Sequence, residues 1–421
     1  MSSPSLERRL GPVDAAAVVI ANVVGVGIFT TPAFVATIVP NPQALLGVWV
    51  CGGALAFAGS LAYAELAARR PLAGGEYVYV RESFGDLAAF LTGWTSFVAG
   101  FSGAIAAGAV GVTVYLDRFV PGIAQSEPVA VAIIVLLAVV HARGLGPGRV
   151  VQGALTLIKM GALVAFVGIV FTSSAAGEIT PAVKGGPVRM SALLFAMVPV
   201  MFSYSGWNAA AYIAEEIREP SRNLPLGLAI GTATTVVLYV SLNALYLRSV
   251  TPRGSLGAWP EQLFSGLAVL IILGSLSAMT LAGPRVYFAM ARNGAFFSAA
   301  ARVHGRFRTP VVAIAAQAVW SSVLVLSGTF EQLLTYTGFA VILFSGVAVL
   351  SLFVLDGRAR KAGAFRAWGY PWAPAIFCVV SFAIVANAIV TAPGPAIAGF
   401  AVILGGLPIY WWTRSTTGAC G

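Results

Sequence analysis

The sequence predicts an all-α integral membrane protein with twelve transmembrane helices. Of its 421 residues, 58% are hydrophobic and only 10% are charged, and the mean hydropathy of +0.89 lies far outside the range of soluble domains. Apolar runs of roughly 20 residues, the length that crosses the hydrocarbon core, follow one another along almost the whole chain. Two of these runs, one in each half, are interrupted by residues that disfavour a continuous helix.

The predicted spans divide into two copies and a remainder. If spans 1–5 (13–172) and 6–10 (190–355) are copies, the odd number of spans per copy forces opposite orientations, which gives a 5+5 inverted repeat. Residues 1–12 precede the repeat, spans 11 and 12 occupy 371–413, and 414–421 form a tail. The twelve spans are 13–38, 43–68, 87–116, 128–143, 148–172, 190–216, 225–248, 262–292, 311–328, 331–355, 371–391 and 396–413.

The distribution of basic residues predicts the orientation. Of the 25 Lys and Arg, Lys159 lies inside a span, five lie on one predicted side of the membrane, and the remaining 19 lie on the other. Cytoplasmic segments carry the excess of Lys and Arg, so both termini are predicted to be cytoplasmic. The five residues on the outer side are Arg118, Lys184, Arg189, Arg248 and Arg253.

The first interruption is Gly25-Val26-Gly27, where two glycines let the backbone leave helical geometry at little steric cost. A half-helix that ends near Val23 offers unpaired carbonyls to an ammonium group. A second half-helix that begins at about Ile28 offers its positive end to a carboxylate. One break can therefore hold both poles of a zwitterion, although glycines in membrane helices also serve helix packing alone.

The second interruption, Ser205-Gly206-Trp207-Asn208, occupies the corresponding position in the other half. Pro199 lies just upstream and weakens the helix because it removes a backbone donor. In lipid, a broken helix is tolerated only where it lines a buried cavity. Paired discontinuous helices in the two halves of a membrane protein indicate a solute site near the midplane, so the sequence predicts a transporter.

Three groups of residues resemble a known family. They are Gly25–Phe29 in span 1, the segment from Tyr63 through Tyr77 after span 2, and Gly206–Asn208 with Glu215–Pro225. The chain resembles the amino acid-polyamine-organocation superfamily and, within it, the L-type amino acid transporters. Supporting matches are Tyr239, Asn243, Tyr246, Ala291-Arg292-Asn293-Gly294 and Thr309-Pro310.

The resemblance implies a LeuT-type fold and a set of substrate contacts. The substrate carboxylate would meet the amides of Val26 and Gly27, and the amine would meet the carbonyls of Val23, Phe202 and Ser205. Phe202 matches an aromatic outer gate. Several relatives have Ser where this chain has Val26, so a hydroxyl contact is absent here. The predicted substrate-binding residues are Val23, Gly25, Val26, Gly27, Phe202, Ser203, Ser205, Gly206, Asn208, Tyr239 and Ser275; Ser277 is a further candidate.

Lys159 is the only lysine inside a predicted span. A charge at the bilayer centre costs about 2.5–3.5 kcal/mol on insertion scales, so such residues normally face the bundle interior; snorkelling to the interface is the alternative. In sodium-independent transporters that this chain resembles, a lysine here occupies the place of a sodium ion. The resemblance therefore implies that no sodium is required, and proton coupling through Lys159 is a weaker hypothesis.

The sequence favours a secondary transporter of small neutral L-amino acids that works by alternating access, through exchange or facilitated flux. The alternative is a proton-coupled or antiporting transporter of cationic amino acids or polyamines, which needs an acidic group in the pocket, and the sequence offers no strong candidate. A transporter-like nutrient sensor ranks last, because no extra soluble domain is visible. An enzyme is not predicted, since no catalytic cluster is visible.

No cofactor or metal is expected. The predicted outer loop 117–127 contains no cysteine, so no disulfide-linked heavy subunit of the kind found in animal relatives is expected, and a prokaryotic inner membrane is the predicted location. The expected partners are an amino acid substrate and the lipid bilayer, with no nucleic acid, and the chain is expected to be a monomer or a weak homo-oligomer.

Overall fold

In the computed structural model the chain folds almost entirely into α-helices. The structure describes residues 6, 8–172, 187–247, 259–327, 330–356 and 365–417; Lys184, Arg248 and Arg253 lie outside these ranges. The helices are α1 (Pro12–Val23), α2 (Gly27–Ile38), α3 (Pro42–Arg69), α4 (Glu76–Phe84), α5 (Asp86–Thr95), α6 (Phe101–Leu116), α7 (Glu127–Ala142), α8 (Leu145–Thr172), α9 (Met190–Tyr204), α10 (Ala209–Tyr212), α11 (Pro220–Leu247), α12 (Trp259–Arg292), α13 (Val311–Ser327), α14 (Phe330–Asp356), α15 (Trp372–Thr391), α16 (Pro393–Leu404) and α17 (Gly406–Thr417).

Each of the twelve predicted spans falls on helical structure. In the described ranges, six helical segments are long and apolar enough to cross a membrane alone, and the bent pair α1–α2 makes a seventh if it counts as one span. The other predicted spans correspond to shorter apolar helices. The protein is therefore a multi-pass, helical membrane protein, while the count of twelve spans and the inverted repeat stay predictions.

The helices pack in two groups. Helices α1, α2, α3, α9 and α11 contact one another, with α11 packed along both α1 and α3. A second group comprises α6, α7, α12 and α13. The groups meet where α1 and the short α10 touch α12, and α8 contacts helices of both groups. The interrupted helices therefore lie at the boundary between the groups.

Helix α4 is a short element in the connection between the apolar helices α3 and α5. Glycines with positive φ bound it, Gly75 at +53° and Gly85 at +86°, a backbone region that other residues rarely adopt. A Cβ on Gly75 would lie 2.5 Å from a ring carbon of Tyr212. The start of α4 is therefore held directly against α10.

A buried ion pair fixes the end of the interrupted α9–α10 segment. The Arg285 guanidinium donates to both carboxylate oxygens of Glu216 at 2.8 and 3.3 Å, and both side chains are fully buried. The Glu216 carbonyl also accepts from the amides of Arg9 and Leu10, while the Arg218 amide donates to the Leu10 carbonyl. The segment that precedes α1 is thus hydrogen-bonded to the far end of the second interrupted helix.

Replacing Arg285 alone by Met is expected to lower the free energy of unfolding by about 3–5 kcal/mol, because the Glu216 carboxylate is left buried without its cation. The double variant Glu216→Leu/Arg285→Met removes both charges and should recover most of that loss. Thermal unfolding of the purified protein measures both. Glu82→Gln, which breaks the partly exposed Arg70 pair, is the control and should change stability by less than about 1 kcal/mol. A double variant no more stable than Arg285→Met would contradict this account.

Candidate functional site

The first interrupted helix breaks at the predicted place. Helix α1 ends at Val23, α2 begins at Gly27, and their axes differ by 46°. Val24 has extended backbone angles, and the Val26 carbonyl accepts from the amides of Phe29 and Thr30 as the first turn of α2 forms. The opening amides of α2 have no partner within their own helix, so they are available to a ligand.

The carbonyl end of α1 is occupied by side chains from three other helices. A helix end inside a membrane protein needs such partners, because lipid offers none. The donors are the Lys159 ammonium to the Ala21 and Val24 carbonyls, at 2.9 Å each, the Tyr239 hydroxyl to Val23 at 2.7 Å, and the Ser275 hydroxyl to Asn22 at 3.3 Å.

The second interruption also has the predicted form. Helix α9 ends at Tyr204, and Gly206 turns the chain with a φ of +99° before α10 begins. The Ser205 amide donates to the Phe202 carbonyl at 3.0 Å, which closes the last turn of α9. The Asn208 amide group donates to the Tyr212 hydroxyl at 2.9 Å.

The two breaks touch each other. A Cβ on Gly206 would lie 2.7 Å from the Cβ of Asn22 and 3.1 Å from the backbone nitrogen of Val23. A Cβ on Gly27 would lie 3.0 Å from the Cα of Ser203. Because no larger residue fits either place without displacement, glycine is what allows the backbones of the two halves to meet.

A small cavity lies between the breaks. Its volume of about 20 Å³ suffices for a single water molecule, so the cavity has to widen before it can hold a larger solute. Eight of the predicted binding residues line this cavity: Val23, Gly25, Val26, Gly27, Phe202, Ser203, Ser205 and Ser275.

A second cavity of about 60 Å³ adjoins the first. The two have lining residues in common, Asn22, Ala104, Ser205 and Met279. The predicted residues Gly206 and Asn208 line the second cavity rather than the first.

Sequence reasoning did not single out the acidic residue in this second cavity. Glu76 lines it and is 6% exposed, whereas the sequence analysis named no strong acidic candidate for the substrate pocket. The motif Gly74-Gly75-Glu76-Tyr77 was visible, but the span pattern placed it in a connection. The positive φ of Gly74 and Gly75 turns this connection inward. The two adjacent glycines before Glu76 were the sequence signal that could have indicated this turn.

Three other candidates lie away from the cavities. Tyr239 and Lys159 line neither cavity and donate to carbonyls at the end of α1. The Ser277 hydroxyl lies 2.8 Å from the His141 ring and therefore faces α7. Of the two serines considered in α12, only Ser275 reaches the break.

Residues 10–413 match the family model described as amino acid permease, which covers nearly the whole chain and both interrupted helices. The chain belongs to the amino acid permease family.

Relatives of this permease match it over most of their length. The serine/threonine exchanger SteT of Bacillus subtilis (strain 168) is 27% identical over 96% of this chain and 97% of its own. The b(0,+)-type amino acid transporter 1 of Mus musculus is 26% identical over 93% of this chain and 85% of its own. The Asc-type amino acid transporter 1 of Mus musculus is 27% identical over 97% of this chain and 81% of its own.

Substituting Gly206 by Ala in this permease is expected to abolish activity, because the added Cβ meets Asn22 and the φ of +99° is strained for alanine. The strain alone costs about 1–2 kcal/mol. Gly122→Ala is the matched control, since Gly122 has a φ of +91° but open space around it. Amino acid uptake and thermal unfolding of both variants measure the difference. Equal losses in the two variants would show that contact between the breaks is unimportant.

Proposed function

We propose that this chain is a secondary transporter that moves small neutral L-amino acids across the membrane by alternating access, through exchange or facilitated flux. The contact between two interrupted helices around a small cavity carries the proposal. The relatives are named as amino acid transporters, and one is named as a serine/threonine exchanger, which supports exchange of small substrates. An enzymatic role is not proposed, because the relatives that define the family are transporters.

The breaks suit the two charged ends of an amino acid. We assign the substrate carboxylate to the amides of Val26 and Gly27, at the positive end of α2. The amine belongs at the carbonyls of Val23, Phe202 and Ser205. Val23 already accepts from Tyr239, and Phe202 from the Ser205 amide. Since each carbonyl has two lone pairs, an ammonium group can share these oxygens once the cavity widens.

The packing supports alternating access in a LeuT-type fold with twelve spans and a 5+5 inverted repeat, residues 13–172 and 190–355. The group that carries both breaks, with α3 and α11, would rock against α6, α7, α12 and α13. Phe202 lines the cavity between them, as a gate over the substrate would. We place both termini in the cytoplasm, and no disulfide-linked subunit is proposed.

Lys159 supports sodium independence. Its ammonium group is fully buried and bonds two carbonyls at the end of α1. A positive charge already occupies the place where a cation could bind those oxygens, so the proposed transporter needs no sodium.

Purified protein in liposomes tests the function. Uptake of labelled alanine and serine is expected to exceed that of lysine and putrescine, to rise when unlabelled amino acid is trapped inside, and to be equal in sodium and choline buffers. If the protein transports putrescine or lysine but not alanine, the cationic alternative holds instead. The acidic Glu76 at the second cavity favours that alternative. Uptake only with sodium would contradict the role given to Lys159.

Replacing Lys159 by Met should reduce alanine uptake at least about tenfold, because two buried carbonyls lose their donor, at about 1–3 kcal/mol for each unsatisfied group. Leu157→Met, an exposed position on the same helix, is the control and should keep wild-type uptake. Initial rates in proteoliposomes, normalised to reconstituted protein, measure both. Full uptake by Lys159→Met would show that transport does not require the hydrogen bonds of Lys159.

A further inference from the structure

Glu76 is a buried carboxyl group with one oxygen unused. The residue is 6% exposed and lines the second cavity. Its Oε1 accepts from the Ser96 hydroxyl at 3.2 Å, whereas no described residue donates to Oε2. The remaining polar groups of the cavity wall are neutral hydroxyls and amides, including Thr92, Thr95, Asn208 and Ser345.

No described cation neutralises Glu76. The titratable groups that interact with it are tyrosines: Tyr63 on α3, Tyr79 on α4, Tyr212 on α10 and Tyr287 on α12. The charged side chains described on α4 and on the elements packed against it have other partners. Arg81 pairs with Asp86, Glu82 with Arg70, Arg285 with Glu216, Arg292 with Glu215, and Asp356 with Arg69.

An ionised carboxylate is energetically unfavourable at such a buried position. Removing a charged group from water costs several kcal/mol unless a cation or a full set of donors replaces the water. Burial accordingly raises the pKa of Glu76, and the nearby hydroxyl groups of Tyr212, Ser96 and Tyr63 oppose that rise only in part. When the cavity opens to water, the burial is relieved and the carboxyl group ionises more readily.

We propose that Glu76 is a proton-binding site that couples closure of the second cavity to the uptake of one proton. This inference rests on the proposed transport function and adds a pH dependence to it. As the cavity closes, a proton from water bonds to the free Oε2 and the carboxylate becomes neutral. As the cavity opens, that O–H bond breaks and the proton returns to water on the side that the cavity then faces.

The direction of the pH dependence follows from linkage. The closed form has the higher pKa at Glu76, so closure is favoured at low pH, and the advantage is lost as the pH rises through that pKa. A transport cycle that passes through the closed form should therefore be faster in acid. With one proton involved, the rate falls by at most about tenfold per pH unit.

The test measures the initial rate of alanine uptake in proteoliposomes with equal internal and external pH, between pH 5.5 and 8.5. The wild type should show the acid-favoured rate. Glu76→Gln, which stays neutral, should still exchange alanine but lose the pH dependence. Glu82→Gln, on the exposed side of the same helix, is the matched control and should retain the pH dependence.

A second variant keeps the proposal testable if Glu76→Gln does not fold. Ser96→Ala removes the hydroxyl that stabilises the charged carboxylate through Oε1, so the midpoint of the pH profile should move upward. A midpoint that does not move overturns the proposal.

The remaining outcomes are also distinct. A wild type that transports alanine at a pH-independent rate overturns the proton-binding site and leaves the transport function standing. Absence of uptake of any amino acid by the wild type overturns the transport function itself. Loss of lysine uptake in Glu76→Gln, with the alanine pH profile unchanged, assigns the carboxyl group to cationic side chains instead.

Discussion

The structure depends on satisfying the backbone at the broken end of α1. Lipid and a closed cavity offer no water to these carbonyls, so the break can exist only if the protein supplies donors. Lys159, Tyr239 and Ser275 come from α8, α11 and α12 and meet at this one point. The hydrogen bonds that satisfy these carbonyls also connect helices from both packing groups. They therefore fix the cavity at the boundary between the groups.

Close approach of the two breaks explains both the formation of the site and its small volume. Gly206 lies against Asn22, and Gly27 against Ser203, at distances where a larger residue would displace its neighbours. The resulting cavity holds about 20 Å³, too little for an amino acid. Packed interfaces tend to switch between discrete arrangements rather than to stretch continuously. The proposed alternating access therefore needs a second, wider arrangement of these helices.

Two buried glutamates, Glu216 and Glu76, differ in how their carboxyl groups are stabilised. Glu216 is fully buried but receives two hydrogen bonds from Arg285, so its charge is stabilised and holds the end of the second interrupted helix. Glu76 is almost as buried but receives a hydroxyl on one oxygen only. A paired carboxylate is a fixed structural element, whereas an unpaired one changes protonation with its exposure to water. The difference lies in their neighbours, not in the residue type.

The sequence by itself determined the helical membrane class and the positions of both interruptions, because hydrophobic runs and helix-breaking glycines act locally along the chain. The resemblance to the family added eight residues that line the first cavity. The sequence could not determine which donors satisfy the end of α1, since Lys159 and Tyr239 lie more than a hundred residues from the carbonyls that they bond. It also misplaced Glu76, because the inward turn at Gly74 and Gly75 decides whether a residue between two spans faces water or a cavity. Contacts between distant segments exist only once the chain is packed, and they alone set the burial and pairing on which the chemistry of each polar group depends.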